Sequence, residues 1–131
     1  MTILAIDAGT TGVTALLVSA DARVVARGYS EFAQHFPADG WVEHDPNEIC
    51  AATLVALDQV LQSAAVAEHG APTAVGITNQ RETVVLWDRE TLGSARMAIV
   101  WQDRRTAGYC DQLKADGHEA RVSELTGLRL D

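Results

Sequence analysis

Two short apolar runs with a turn of small residues between them open the chain, and they restrict its fold more than anything that follows. Residues 3–6 (ILAI) and 13–19 (VTALLVS) flank Asp7-Ala8-Gly9-Thr10-Thr11-Gly12. Glycine lets a backbone reverse without steric cost, so such a turn between β-prone runs predicts strand, hairpin, strand. A further turn at residues 20–23 leads to residues 24–32, which alternate well enough for a third antiparallel strand. A chain that begins as an antiparallel meander is not an all-helical bundle.

After the meander the period changes. Asp45-Pro46-Asn47-Glu48 offers an N-cap, a proline at the first helical position and the reaching-back acceptor of a capping box. Ile49, Ala52, Ala56, Leu57, Val60, Leu61 and Ala64 then recur at three- and four-residue intervals, which predicts a helix with one apolar stripe, ending before Gly70 and packed on the sheet. Residues 73–78 (TAVGIT) read as a buried strand, parallel to the first and reached by a crossover. Residues 83–87 and 97–101 are strand-like, with a turn at 88–93 between them. Asp103 is expected to cap a helix through about Ala115 that Gly117 stops, and a short helix over 118–125 is expected to end at Gly127. The sum is a mixed-sheet α/β domain.

The composition agrees with a folded chain. Of 131 residues, 47% are hydrophobic and 21% charged, which suits a single domain with a core and excludes disorder as the main state. No repeat, low-complexity tract or Pro- or Ser-rich linker divides residues 1–131. The 18 acidic and 10 basic residues leave a net charge of -8, which disfavours nucleic acid or an anionic membrane as principal partner while allowing a small anion to bind locally. Cys50 and Cys110 form no CxxC motif, so reduced, cytoplasmic thiols are expected. The apolar run at the start stops at Asp7, short of a signal core or a membrane span, so the protein is expected to stay in the cytoplasm. His35, His44, His69 and His118 lack ligand spacing and are read as surface or locally bonded residues, so no metal site made wholly of side chains is expected.

Three places hold residues suited to chemistry. The turn with Gly9 and Gly12 allows close backbone approach, presents N–H groups to an anion and adds the hydroxyls of Thr10 and Thr11, while Asp7 supplies a hard oxygen for Mg²⁺ beside phosphate. It serves equally as a hairpin turn chosen for geometry alone, and it is not a Walker loop, because no Gly-Lys-Ser/Thr follows and the next element is a strand. Thr78-Asn79-Gln80-Arg81-Glu82-Thr83 lies at the carboxyl end of the parallel strand, where open α/β sheets bind ligands. Arg81 donates and Glu82 accepts, a combination that reads neighbouring hydroxyls, although a solvated ion pair fits the same residues. Trp101 offers a flat apolar face to the carbon edge of a small polyol, but tryptophans more commonly serve as core, and this applies to Trp41 and Trp87 too. The pair Arg104-Arg105 reads as a helix-capping or solvated pair.

Taken together, AIDAGTTG at 5–12, FPADGWVEHDPNEI at 36–49, GITNQRETVVLW at 76–87, AIVWQDRRTA at 98–107 and LTGLRLD at 125–131 resemble the N-terminal part of the glycerol kinases, FGGY carbohydrate kinases of the actin and hexokinase superfamily. The resemblance implies an incomplete ribonuclease-H-like α/β domain with a mixed sheet. It implies that Asp7 lies near Mg²⁺, that Thr10, Thr11 and Gly12 touch the phosphates of ATP, and that Arg81, Glu82 and Trp101 bind glycerol. The implied reaction moves the γ-phosphoryl group of ATP to a terminal hydroxyl of glycerol. Many of these kinases read D-Q-G-T-T-S followed by a polar residue and an Arg, whereas this chain has Ala8, Gly12, Val13 and Thr14, so the Arg that assists phosphate binding and one hydroxyl are missing. By the same resemblance the catalytic-base Asp, the second phosphate loop and the adenosine segment lie beyond residue 131, and no catalytic residue is assigned within the chain. The isolated chain is therefore expected to be an inactive fragment or truncated product, and the complete enzyme is compatible with a homo-oligomer. A kinase for another polyol or sugar, and a non-catalytic remnant, remain as alternatives.

Overall fold

The computed structural model describes residues 1–131 and builds them on a four-stranded mixed sheet with one long helix laid across half of it. The opening meander consists of β1 (Thr2–Ala8), β2 (Gly12–Ser19) and β3 (Val24–Glu31). The pairing is antiparallel throughout, with Leu4 opposite Leu17 and Asp7 opposite Thr14. The strands run further into the turn than its sequence suggests, so Asp7, Ala8 and Gly12 are strand residues and only Gly9, Thr10 and Thr11 form the loop. After a two-residue strand β4 (Glu43–His44), helices α1 (Pro46–Leu61) and α2 (Ala64–His69) carry the chain over to β5 (Pro72–Asn79). β5 runs parallel to β1 with Asp7 opposite Thr78, giving the order β3-β2-β1-β5. The two-residue β6 (Ala98–Ile99) pairs with β4, and α3 (Ala107–Ala115) and α4 (Glu119–Thr126) complete the chain.

One face of the sheet forms the core. Leu4 and Ile6 of β1 and Val13, Ala15 and Leu17 of β2 meet Ala52, Ala56 and Val60 of α1, the stripe expected from the helical period. Each large aliphatic side chain fully buried there contributes about 1.5–3 kcal/mol. The helix lies so close to β3 that a Cβ on Gly28 would stand 2.1 Å from the Ala56 carbonyl oxygen, so only glycine fits. Beside it, Gln59 Oε1 accepts from the Tyr29 N–H at 2.8 Å, satisfying a backbone donor of β3.

The structure corrects several expectations. β5 is parallel to β1 but not buried: Val75 is 58% and Ile77 73% exposed, because α1 reaches β2 and β3 and leaves this strand uncovered. Residues 83–87 form no strand, only a single bridge from Val84 to Ile99. Asp45 caps α1 by accepting from the Asn47 N–H at 2.8 Å, yet Glu48 does not close a capping box. Its carboxylate instead accepts from the Ala33 N–H at 3.1 Å and faces His35, tying the loop before β4 to the helix. Leu61 is exposed and Ala64 belongs to α2, since the stripe breaks at Gln62 and Ser63. α4 ends where expected, with Gly127 in the left-handed conformation.

Asp103 caps nothing, as α3 starts only at Ala107 after Thr106. Its buried carboxylate accepts from the Val42 N–H at 2.7 Å and from Arg105 through Nε and Nη2, each at 2.8 Å. Hydrogen bonding by Arg105 holds the Asp103 carboxyl down at about 2, and the same bond raises the guanidinium. Arg105 Nη2 also reaches Glu43 Oε1 at 2.7 Å, and the guanidinium stacks 3.9 Å from the Trp41 ring centroid. The basic pair is therefore split: Arg105 is an internal clamp between β4 and the segment after β6, while Arg104 pairs with Asp131 at the surface. None of the three tryptophans is core; Trp87 is 57% and Trp101 52% exposed.

Candidate functional site

Where β1 and β5 end side by side, the hairpin loop and the residues after β5 face each other. A cavity of about 300 Å³ opens between them, lined by Gly9, Thr10, Asn79, Gln80, Arg81, Glu82 and Trp101. Thr10, Arg81, Glu82 and Trp101 were expected at a site from sequence, and the fold brings all four to one cavity. Asp7, Thr11 and Gly12 flank that cavity without lining it. Parallel pairing is what juxtaposes the two segments, since it puts the carboxyl ends of β1 and β5 at the same edge.

The hairpin loop is braced by two glutamines, Gln80 at the cavity wall and Gln34 outside it. Gln80 Nε2 donates to the Gly9 carbonyl oxygen at 2.9 Å, and Gln34 Nε2 donates to the Thr10 carbonyl oxygen at 2.9 Å. No peptide bond is cis, and in a trans peptide each carbonyl points opposite to the N–H that follows it. Tying these carbonyls inward therefore turns the N–H groups of Thr10 and Thr11 the other way, and neither donates to another group of the chain. Adjacent backbone donors with no protein acceptor make a concavity suited to an anion. The Thr10 hydroxyl is also placed, because Trp101 Nε1 donates to Thr10 Oγ1 at 3.0 Å.

Asp7 lies one residue before the end of β1, between Thr14 on β2 and Thr78 on β5, on the sheet face turned away from α1. The position where the family resemblance leads one to expect an Arg is thus the direct cross-strand neighbour of Asp7, occupied here by Thr14. Gly12 has its own reason: a Cβ there would stand 2.7 Å from the Ser30 carbonyl oxygen and 2.8 Å from the Tyr29 hydroxyl. A serine would displace Tyr29 or part β2 from β3, so the missing hydroxyl is a consequence of how this sheet packs.

Arg81 and Glu82 are exposed, and neither takes part in an ion pair, so the solvated-pair alternative does not describe them. Glu82 adopts φ 66°, a left-handed conformation that costs a non-glycine residue on the order of 1–3 kcal/mol. Such strain persists where the surroundings impose it, here at the rim of the cavity. Trp101 is fixed at both ends, its N–H donating to Thr83 Oγ1 at 3.2 Å and its indole to Thr10.

Sequence reasoning gave no role to Gln34, His44, Gln80 and Thr83, which brace the site, although Gln80 and Thr83 lie within the segment it singled out. His44 is fully buried, with Nε2 2.7 Å from Gln34 Oε1 and Nδ1 3.3 Å from Gln80 Nε2. Burial pushes its pKa below the ordinary histidine value; the charge of His35 adds to this and that of Glu48 opposes it. Nothing in the spacing of these residues marks them as a set, because they come from three separate segments, with only Gln80 and Thr83 sharing one.

Comparison with known proteins bears on the same residues. The family model described as the FGGY family of carbohydrate kinases, N-terminal domain, matches residues 2–131. A glycerol kinase from Methylobacterium nodulans is 54% identical over 129 residues, covering 98% of this chain and 26% of its own. The crystal structure of Plasmodium falciparum glycerol kinase with ADP superposes with a TM-score of 0.84 at 28% identity, covering 99% of this chain and 26% of its own. A xylulose kinase from Brucella ovis gives a TM-score of 0.81 at 29% identity, covering 94% of this chain and 26% of its own. The chain spans about a quarter of the length of the relatives it matches.

Proposed function

The chain belongs to the FGGY family of carbohydrate kinases, and from that premise we propose that it is the N-terminal portion of an ATP-dependent glycerol kinase, acting in the cytoplasm and converting glycerol to sn-glycerol 3-phosphate. The observation that carries this reading is the cavity in which Gly9 and Thr10 of the hairpin loop meet Arg81, Glu82 and Trp101, with the unpaired loop amides of Thr10 and Thr11 beside it. Phosphoryl transfer is largely a matter of positioning and charge stabilisation, so donors for phosphate and for the acceptor alcohol must share one pocket. The two glycerol kinase and sugar kinase structures are equally good matches in fold, so the choice of glycerol rests on the 54% identity and on the residues of the loop after β5.

In this reading Thr10, Thr11 and Gly12 receive the phosphates of ATP. The Arg81 guanidinium donates to one glycerol hydroxyl, the Glu82 carboxylate accepts from its neighbour, and Trp101 covers the carbon edge. The Asp7 carboxylate accepts no side-chain hydrogen bond and belongs to no group of three metal-ligating side chains. A lone carboxylate beside a phosphate site fits Mg²⁺, which needs only one or two protein carboxylates; Asp7 would hold it, and the ion would offset the charge of the transferring phosphoryl group. The general base that takes the proton of the attacking hydroxyl belongs to the part of the enzyme outside these residues.

Steady-state kinetics on a complete enzyme carrying these residues tests the reading. Arg81→Ala removes a charged donor, and a loss of about 1.5–3 kcal/mol lowers kcat/KM for glycerol about ten- to a hundred-fold, with KM for ATP nearly unchanged. Should the variant keep its kcat/KM for glycerol, or the parent enzyme prefer a pentulose, the substrate is another sugar or polyol.

A further inference from the structure

We infer that His44 is a positioning residue that locks the hairpin loop and the loop after β5 into one fixed arrangement; its consequence for catalysis rests on the kinase reading above. Gln34 uses its Nε2 on the Thr10 carbonyl, which leaves Oε1 to face the imidazole. Gln80 uses its Nε2 on the Gly9 carbonyl, and Thr83 Oγ1 donates to its Oε1 at 3.0 Å. The amide of Gln34 therefore presents an acceptor to His44 Nε2, and the amide of Gln80 presents a donor to His44 Nδ1. Only one tautomer satisfies both: neutral imidazole with the proton on Nε2 and a free lone pair on Nδ1.

The chain of bonds also closes on itself. From Thr10 it passes through Gln34, His44, Gln80 and Thr83 to Trp101, whose indole donates back to Thr10 Oγ1. Thr10 belongs to the proposed phosphate side, Gln80, Thr83 and Trp101 border the proposed polyol side, and His44 is the one fully buried member between them. A rigid ring offering a donor on one edge and an acceptor on the other fixes the spacing of the two glutamines. The Phe32 ring packs edge-on against it, 5.0 Å between centroids. Neither half of the site can shift without breaking a bond that the other half shares.

Two kinds of measurement test this. In the 131-residue chain, ¹⁵N NMR of the His44 ring should show a protonated Nε2 and a bare Nδ1; a proton on Nδ1 overturns the assignment. His44→Phe keeps the ring volume and removes both bonds. It should perturb the amides of residues 9–12 and 80–83 and the Trp101 indole N–H together, with α4 unmoved. Perturbation confined to β4 and its neighbours, or to one loop alone, overturns the coupling. Should the Phe variant fail to fold, His44→Gln, which retains a donor toward Gln34, takes its place, and a variant that leaves the 80–83 amides unmoved again counts against the coupling. In a complete enzyme carrying these residues, His44→Phe should lower kcat about ten- to a hundred-fold while KM for glycerol and ATP changes little. Unchanged kcat alongside perturbed loops overturns the positioning role. A parent enzyme that does not phosphorylate glycerol overturns the kinase reading instead, and leaves the ring and loop signatures as they are.

Discussion

β2 and β5 are both eight-residue strands with large aliphatic side chains on the same face of one sheet, and they end in opposite environments. Leu17 of β2 has no exposed surface, whereas Ile77 of β5 is 73% exposed. The difference lies in the reach of α1, which crosses β2 and β3 and stops short of β5. Strand formation thus follows from local pattern, but burial follows from what lies over the strand. The site end of the sheet obeys a third rule. There the loops are held by directional bonds, from Gln34, His44, Gln80, Thr83 and the Asp103–Arg105 clamp.

The contrast is open to direct attack. Leu17→Ala should destabilise the chain by about 2–5 kcal/mol, because α1 closes over the vacated space and cannot collapse into it fully; chemical denaturation of the purified chain measures this. A cost below about 1 kcal/mol would mean that the covered half is no better packed than the open edge.

For the polar end, the test is acid. The Asp103 carboxyl, held at about 2 by Arg105, lies below its ordinary value near 3.9. Its contribution is therefore fully present above about pH 4 and is lost as pH falls through about 2. Asp103→Asn should be less stable than the parent by on the order of 2 kcal/mol at pH 5, and the gap should narrow as the pH approaches 2. A gap independent of pH would assign the effect to shape alone.

The smallest effect belongs to β5. Ile77→Ala should change stability by no more than about 0.5 kcal/mol, as expected for a surface position. A loss matching that of Leu17→Ala would show that β5 is covered in solution, and so sharpen the question of what covers it.

Much of the fold was legible because it depends on neighbours in sequence. The meander, the Asp45 cap, the Ala52, Ala56 and Val60 stripe, the parallel strand and the stop at Gly127 all follow from spacing and from single-residue backbone preferences. The site was half legible. Arg81, Glu82 and Thr10 stand out by chemistry, but their meeting in one cavity needs the parallel register of β1 and β5. Glu48 and Asp103 show the reverse case: each fits a local capping role by position, and each spends its carboxylate on a distant backbone N–H, that of Ala33 and of Val42. By residue type Trp41 fits core, but it is exposed and stacks under Arg105, a partner far along the chain that no local pattern marks.

What the sequence alone determined is whatever a period or a turn can encode: which segments are strand or helix, which helix face is apolar, and which kinase family the wording resembles. What only the tertiary structure decided is coverage and pairing. The exposure of β5, the need for glycine at positions 12 and 28 and the bonded ring through His44 each depend on atoms that meet across sequence gaps. Apolar burial is non-directional and leaves a repeating trace in sequence. A hydrogen bond is directional and is fixed by its partner, so a histidine looks the same in the sequence whether it is at the surface or, like His44, locked between two amides.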